Sequence, residues 1–164
     1  MAYQTPRTWA AGERPTAAQF NQDIRDNQLA AFPLGVAAWT SWTAAVVQGG
    51  AVTSTASPRN AYQRVGRLIV AQFAVSITGA GTAGQLVTVS LPVNSAATSI
   101  VTGVAWIYDA SATTRYVCAC EIVSASTVAF AHDTSGGNLF GQAPAVTLAS
   151  GDLIRGAVTF EAVS

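Results

Sequence analysis

Lysine is absent from these 164 residues, and histidine and methionine occur once each and cysteine twice. Charged residues make up only 10% of the chain, eight arginines balancing eight carboxylates to a formal net charge of zero. With no basic surplus the sequence cannot build the cationic stripe that nucleic-acid phosphates require, so no nucleic-acid partner is expected. A single imidazole, His132, means that any histidine chemistry must use that residue. The first thirty residues lack the basic, apolar, small-residue order of a secretory signal, and no run approaches eighteen apolar residues. A soluble protein made in the cytoplasm, with no membrane partner, is the expectation.

The two cysteines, Cys118 and Cys120, stand two apart. On a strand they point to one face with backbones poorly placed for a bridge, which reads as small buried apolar residues and not as a metal or redox pair. The length allows one main core with an appendage.

What is present is half hydrophobic by count and dominated by small and β-branched residues. Residues 1–15 hold two prolines and Trp9 without periodicity and read as an extended arm. Thr16 precedes Gln19 by three, a capping-box spacing, with Pro15 just before it and Pro33 just after Phe32, so a helix is expected at about Ala17 to Ala31 within a segment 16–32. Its apolar stripe, Phe20, Ile24 and Phe32 with Gln28 in the row, is too narrow to hold a lone helix in water. The helix must pack on something, either the following domain or copies of itself.

After a linker, 33–38, the pattern changes to short runs rich in Val, Thr and Ile, punctuated by turn residues. Strands are expected near Thr40 to Val46, Ala51 to Ala56, Ala61 to Val65, Leu68 to Thr78, Gln85 to Leu91, Ile100 to Tyr108, Arg115 to Val123, Thr127 to His132 and Leu153 to Val163. That spacing gives a mainly β chain: a β-sandwich, jelly-roll-like, over 39–164, preceded by the arm and one α-helix. Tyr116, Cys118, Cys120 and Ile122 share one face of their strand, the core face, while Arg115, Val117, Ala119, Glu121 and Val123 share the other. So few charges on a sandwich leave apolar surface uncovered unless copies assemble.

The candidates for chemistry are thin. His132 ends a strand before a glycine-rich loop, where a solvent-facing or capping role outweighs a general base. Asp109 and Asp152 sit at turn signals, where Asp bonds local backbone. The run "GAGTAG" at 79–84 is followed by no helix that could hold a phosphate and reads as a flexible connection, as does "SGGN" at 135–138. No metal or other cofactor is expected. Trp39, Trp42, Trp106, Tyr108, Tyr116 and Phe140 are the rings that loops could offer to sugars, with core packing the commoner fate. Phe140, in the Gly-flanked "NLFGQAP", is the possible glycan contact.

The N-terminal "TPRTWAAGERPTAAQFNQDIRDN" resembles a short element of tail and other virion proteins of bacteriophages, especially those infecting actinobacteria, through Trp9, Gly12, Thr16, Ala17, Phe20, Asn21, Ile24, Arg25, Asp26 and Asn27. The run "YQRVGRLIVAQFAVSITGAGTAGQLVTVSLPV" is similar to a β-rich domain of the same proteins, and "LASGDLIRGAVTFEAV" to its closing strand. The resemblance implies a virion location and a homotrimeric, jelly-roll-like module of the tumour-necrosis-factor-like type. Its arm and helix would anchor on other virion proteins or bundle on the three-fold axis, with Arg25 and Asp26 in ion pairs and Asn21 and Asn27 fixing helix register. On this reading the protein is no enzyme but a minor tail protein, short fibre or capsid-surface fibre. Two alternatives stand beside it: a module binding host cell-surface glycan, and a cell-wall glycan hydrolase using carboxylates among Asp109, Glu121, Asp133 and Asp152.

Overall fold

A computed structural model describes residues 8, 10–27, 39–57, 59–133 and 138–163. The chain divides into two compact units, Met1–Ala38 and Trp39–Ser164.

In the first unit Thr16 caps the helix from both sides. Its hydroxyl accepts from Gln19 N at 3.3 Å, and its own N–H donates to the Gln19 side chain at 2.8 Å. One α-helical turn, α1 (Ala17–Phe20), then widens into π-helical turns over Asn21–Asp26. The remainder of the expected helix, from residue 28, lies outside the described residues, as do Trp9 and the linker.

The second unit is mainly β, a curled antiparallel sheet of sandwich-like form. Its strands are β1 (Thr40–Ser41), β2 (Val46–Gln48), β3 (Ala51–Val52), β4 (Ser54–Ala56), β5 (Ala61–Val65), β6 (Leu68–Ile77), β7 (Val87–Ser90), β8 (Ile100–Asp109), β9 (Thr114–Ser124), β10 (Thr127–His132) and β11 (Leu153–Glu161). They run in the order β1-β5-β6-β11-β8-β9-β10-β7-β2-β3, with β4 also paired to β6. In a flat sheet β6 and β10 would stand about 19 Å apart, four strand spacings. The rings of Phe73 on β6 and Phe130 on β10 lie instead 6.2 Å apart. The sheet therefore folds over on itself, and strict alternation fills the space between its halves. Ile69, Ala71, Phe73, Val75 and Ile77 of β6 meet Cys118, Cys120 and Ile122 of β9 and Val87 and Val89 of β7 in one buried cluster.

Two expected strands prove to be broken. The run from Thr40 to Val46 is split because β1 pairs with β5 while β2 pairs with β7, near opposite ends of the strand order. Ala51 to Ala56 breaks at Thr53 for the same reason, β3 pairing with β2 and β4 with β6. Such strands turn the corners of a sandwich by changing layers. At the β5–β6 hairpin, where Val65 faces Leu68, the two-residue connection places Gly66 at φ 61°, the region that glycine enters freely.

One polar side chain ties the loops at one edge. Gln48, buried at the end of β2, donates to the carbonyls of Val146 at 2.7 Å and Gln85 at 3.1 Å and accepts from Leu148 N at 2.9 Å. Gly81 N donates to Leu148 O at 2.8 Å and Thr82 N to Gln48 O at 3.0 Å, so "GAGTAG" is bonded to the body of the fold and is not the loose connection its composition suggests. A Cβ on Gly81 would fall on the Gln48 amide, which is why glycine stands there. Replacing Gln48 with alanine strands three backbone partners in a dry site and leaves a cavity. A loss of about 3 kcal/mol is expected, read as a melting temperature lower by roughly 10 °C.

Candidate functional site on the outer sheet face

An antiparallel sheet with one buried face normally turns polar residues to water. Much of the outer face of β6, β11, β8 and β9 does not. Val101, Val104 and Val117 are 70%, 66% and 73% exposed. The register places Val104 between Ala119 on β9 and Ala157 on β11, and Trp106 between Val117 on β9 and Arg155 on β11. Leu68 and Val70 are also exposed on β6, opposite Glu161 and Thr159 of β11. Alternation makes this inevitable once Cys118, Cys120 and Ile122 turn inward, because Val117 and Ala119 must then face out.

Three arginines gather at one end of this face. The Arg155 guanidinium stands 5.1 Å and that of Arg115 5.6 Å from the centre of the Trp106 ring, and Arg115 also lies 5.8 Å from that of Tyr108. Such stacking holds a guanidinium in place without neutralising it. Arg59 lies in the loop that joins β4 to β5 along the edge of β6, where Ser57 N donates to Ala74 O at 2.8 Å and the Asn60 side chain accepts from Ala74 N at 2.6 Å. Among the described residues none of Arg59, Arg115 and Arg155 meets a carboxylate. Arg67, by contrast, pairs with Glu161 at 3.1 Å.

Two shallow grooves meet over the backbone of Gly156 and Ala157. One, of about 450 Å³, is walled by Ser57, Arg59, Gln72, Ser76 and Arg155. The other, of about 290 Å³, is walled by Val104, Trp106, Val117 and Arg155. Gly156 itself faces the core, and a Cβ there would meet Phe73 Cζ at 2.6 Å and Ala105 Cβ at 2.8 Å. Beside Ser57, two buried donors, Trp42 Nε1 and Asn60 Nδ2, have no partner among the described residues.

The residues singled out in the sequence are dispersed. Phe140 is not a glycan contact on this surface: it is fully buried, edge-on to Tyr116 at 5.1 Å, because the loop folds inward and bonds Phe140 N to Phe130 O. His132 stacks edge-on against Tyr116 at 5.4 Å. Asp152 caps backbone, accepting from Ala110 N at 2.8 Å and Ala149 N at 2.9 Å. Asp109 accepts from the Ser111 hydroxyl at 2.6 Å and from Ala112 N at 3.0 Å. The Ser111 bond, with the backbone ones, holds its carboxyl below the ordinary range against the opposing effect of burial. Glu121 lies on β9, two strands from Asp152 at the start of β11, and no three His, Cys, Asp or Glu side chains gather for a metal among the described residues.

On the helix Phe20 and Ile24 are 53% and 43% exposed, Asn21 and Arg25 are exposed, and Asn27 is buried with its amide donating to Asp23 O at 3.4 Å. Asp26 is helical in backbone, its side chain outside the described residues. No helix among the described residues is long and apolar enough to cross a membrane.

Comparison with protein-family models, with curated proteins and with solved structures gives no match to this chain.

Burial pushes the Cys118 thiol up to about 11 and the Cys120 thiol up to about 12. Both therefore stay protonated to well above neutrality. Labelling with a thiol reagent at pH 8.5 is expected to run about 100-fold slower on the native chain than on the chain in denaturant, followed by mass spectrometry.

Proposed function

We propose that this chain is a non-enzymatic structural protein of a bacteriophage virion: a minor tail protein, short fibre or capsid-surface fibre whose N-terminal arm and helix anchor it while a homotrimeric β-domain projects. The observation that carries the assembly reading is the aliphatic outer face, with Val101, Val104 and Val117 open to water on a sheet whose other face is fully packed. Contiguous apolar surface of this kind marks an interaction site, and further copies of the same chain are the simplest cover for a protein of zero net charge. Phe20 and Ile24, one turn apart and both open, give the helix an apolar stripe of its own for docking. The resemblance of the N-terminal segment to phage virion proteins supports the virion setting.

A second reading, a module that binds host-surface glycan, is favoured by one observation: the arginine-walled groove beside the valines.

Native mass spectrometry of the full chain is expected to give a trimer, and Val104→Asp with Val117→Asp is expected to return it to monomer with its β circular dichroism intact. A wild-type monomer with no change in the double variant would overturn assembly through this face. Deleting residues 1–32 is expected to leave the β-domain folded but missing from purified particles, and normal incorporation of the truncated chain would remove the anchoring role.

A further inference from the structure

We infer that the groove bounded by Arg59 and Arg155, with the Trp106 shelf beyond it, is a binding site for an anionic polysaccharide. This rests on the second, glycan-binding reading and adds the charge and place of the ligand. On a chain of zero net charge, three of the eight arginines stand around one stretch of sheet without a carboxylate partner among the described residues, and none of the described residues walling either groove is acidic. Three exposed like charges held together raise the local concentration of anions.

The geometry suits a sugar chain better than a lone ion. From Arg59 beside β6 to Trp106 on β8 the surface crosses two strand spacings, about 10 Å, which spans about two linked units. Stacking on Trp106 fixes Arg155 and Arg115 so that less side-chain freedom is lost when they grip an oxyanion, and guanidinium forks match carboxylate and phosphate alike. Ser57, Ser76 and Gln72 supply neutral donors and acceptors for hydroxyl groups. The floor of Ala74, Gly156 and Ala157 carries no bulk that would keep a ring away from the backbone. The anion itself could be the carboxylate of a uronic acid or the phosphate of a sugar-phosphate polymer, and both chemistries satisfy the same forks.

The test is calorimetric titration of the full chain, at low salt, with four probes: an oligogalacturonate, a glycerol-phosphate oligomer, a neutral dextran oligomer and a single-stranded oligonucleotide. Binding of one anionic carbohydrate probe is expected, and which one binds identifies the anion. Arg59→Gln and Arg155→Gln are each expected to weaken it about tenfold, the loss of one charge-assisted contact. Arg64→Gln is expected to leave it unchanged, since Arg64 Nε bonds Gly66 O at 2.8 Å away from the groove. Failure of both anionic probes, equal binding of the oligonucleotide, or an equal effect of Arg64→Gln would overturn the proposal. Binding of dextran alone would overturn the anionic site while keeping a glycan-binding module. A change in native mass with Arg155→Gln, without any ligand effect, would assign the arginines to the subunit interface and overturn the site.

Discussion

The sheet must close on itself, and nearly everything else in the β-domain follows from that. The eleven strands turn their bulkiest apolar residues to one face, and an open sheet would leave that face in water. Closure is made by two crossings of the chain, from β1 to β2 and from β3 through Thr53 to β4, each carrying the backbone from one end of the strand order toward the other. Phe73 and Phe130 can then meet, and Gly156 leaves room for the Phe73 ring beside Ala105. Gln48 sits where these constraints converge, at the end of a crossing strand, and its amide ties the loops around residues 85 and 146–148 together beside the backbone bond from Gly81 N to Leu148 O.

Closure also decides what the outer face can be. With period two, every core residue fixes an outward neighbour, so the valines beside Cys118 and Ala105 must leave the core of the sheet. The arginines near Trp106 occupy the same alternating positions. Aliphatic and cationic residues thus share one exposed surface: the bare valines lie along β8 and β9, the larger arginine-walled groove along β6 and β11, and Arg155 with Trp106 stands where the two meet. Assembly at one region and ligand capture at its rim are compatible on such a surface.

Most of the β-domain could be read in the sequence because its signals are local. Alternation located β6, β9 and β11 within a residue or two at most ends, and the capping box marked Thr16. The two broken strands could not be foreseen, since a run that changes layer looks the same as one that does not. Phe140 misled for a related reason: flanking glycines signal a loop but not the direction in which it folds, and here it folds over Tyr116. Arg59, Arg115 and Arg155 are far apart in sequence, and only the pairing of β8 with both β9 and β11 brings two of them to one indole. Gln48 carried no signal, as its partners lie 37 to 100 residues away.

The position of β11 has a consequence for how the chain is made. Latest in sequence of the described strands, it lies between β6 and β8 and bonds to both along most of its length. Until residue 161 has left the ribosome, those two long strands hold unpaired edges, each a template for another chain. The β8–β9–β10 meander can form early, from neighbours in sequence, but the halves of the sheet wait to be joined. A nascent chain of this kind is exposed to wrong pairing with its sisters until β11 emerges to join β6 to β8.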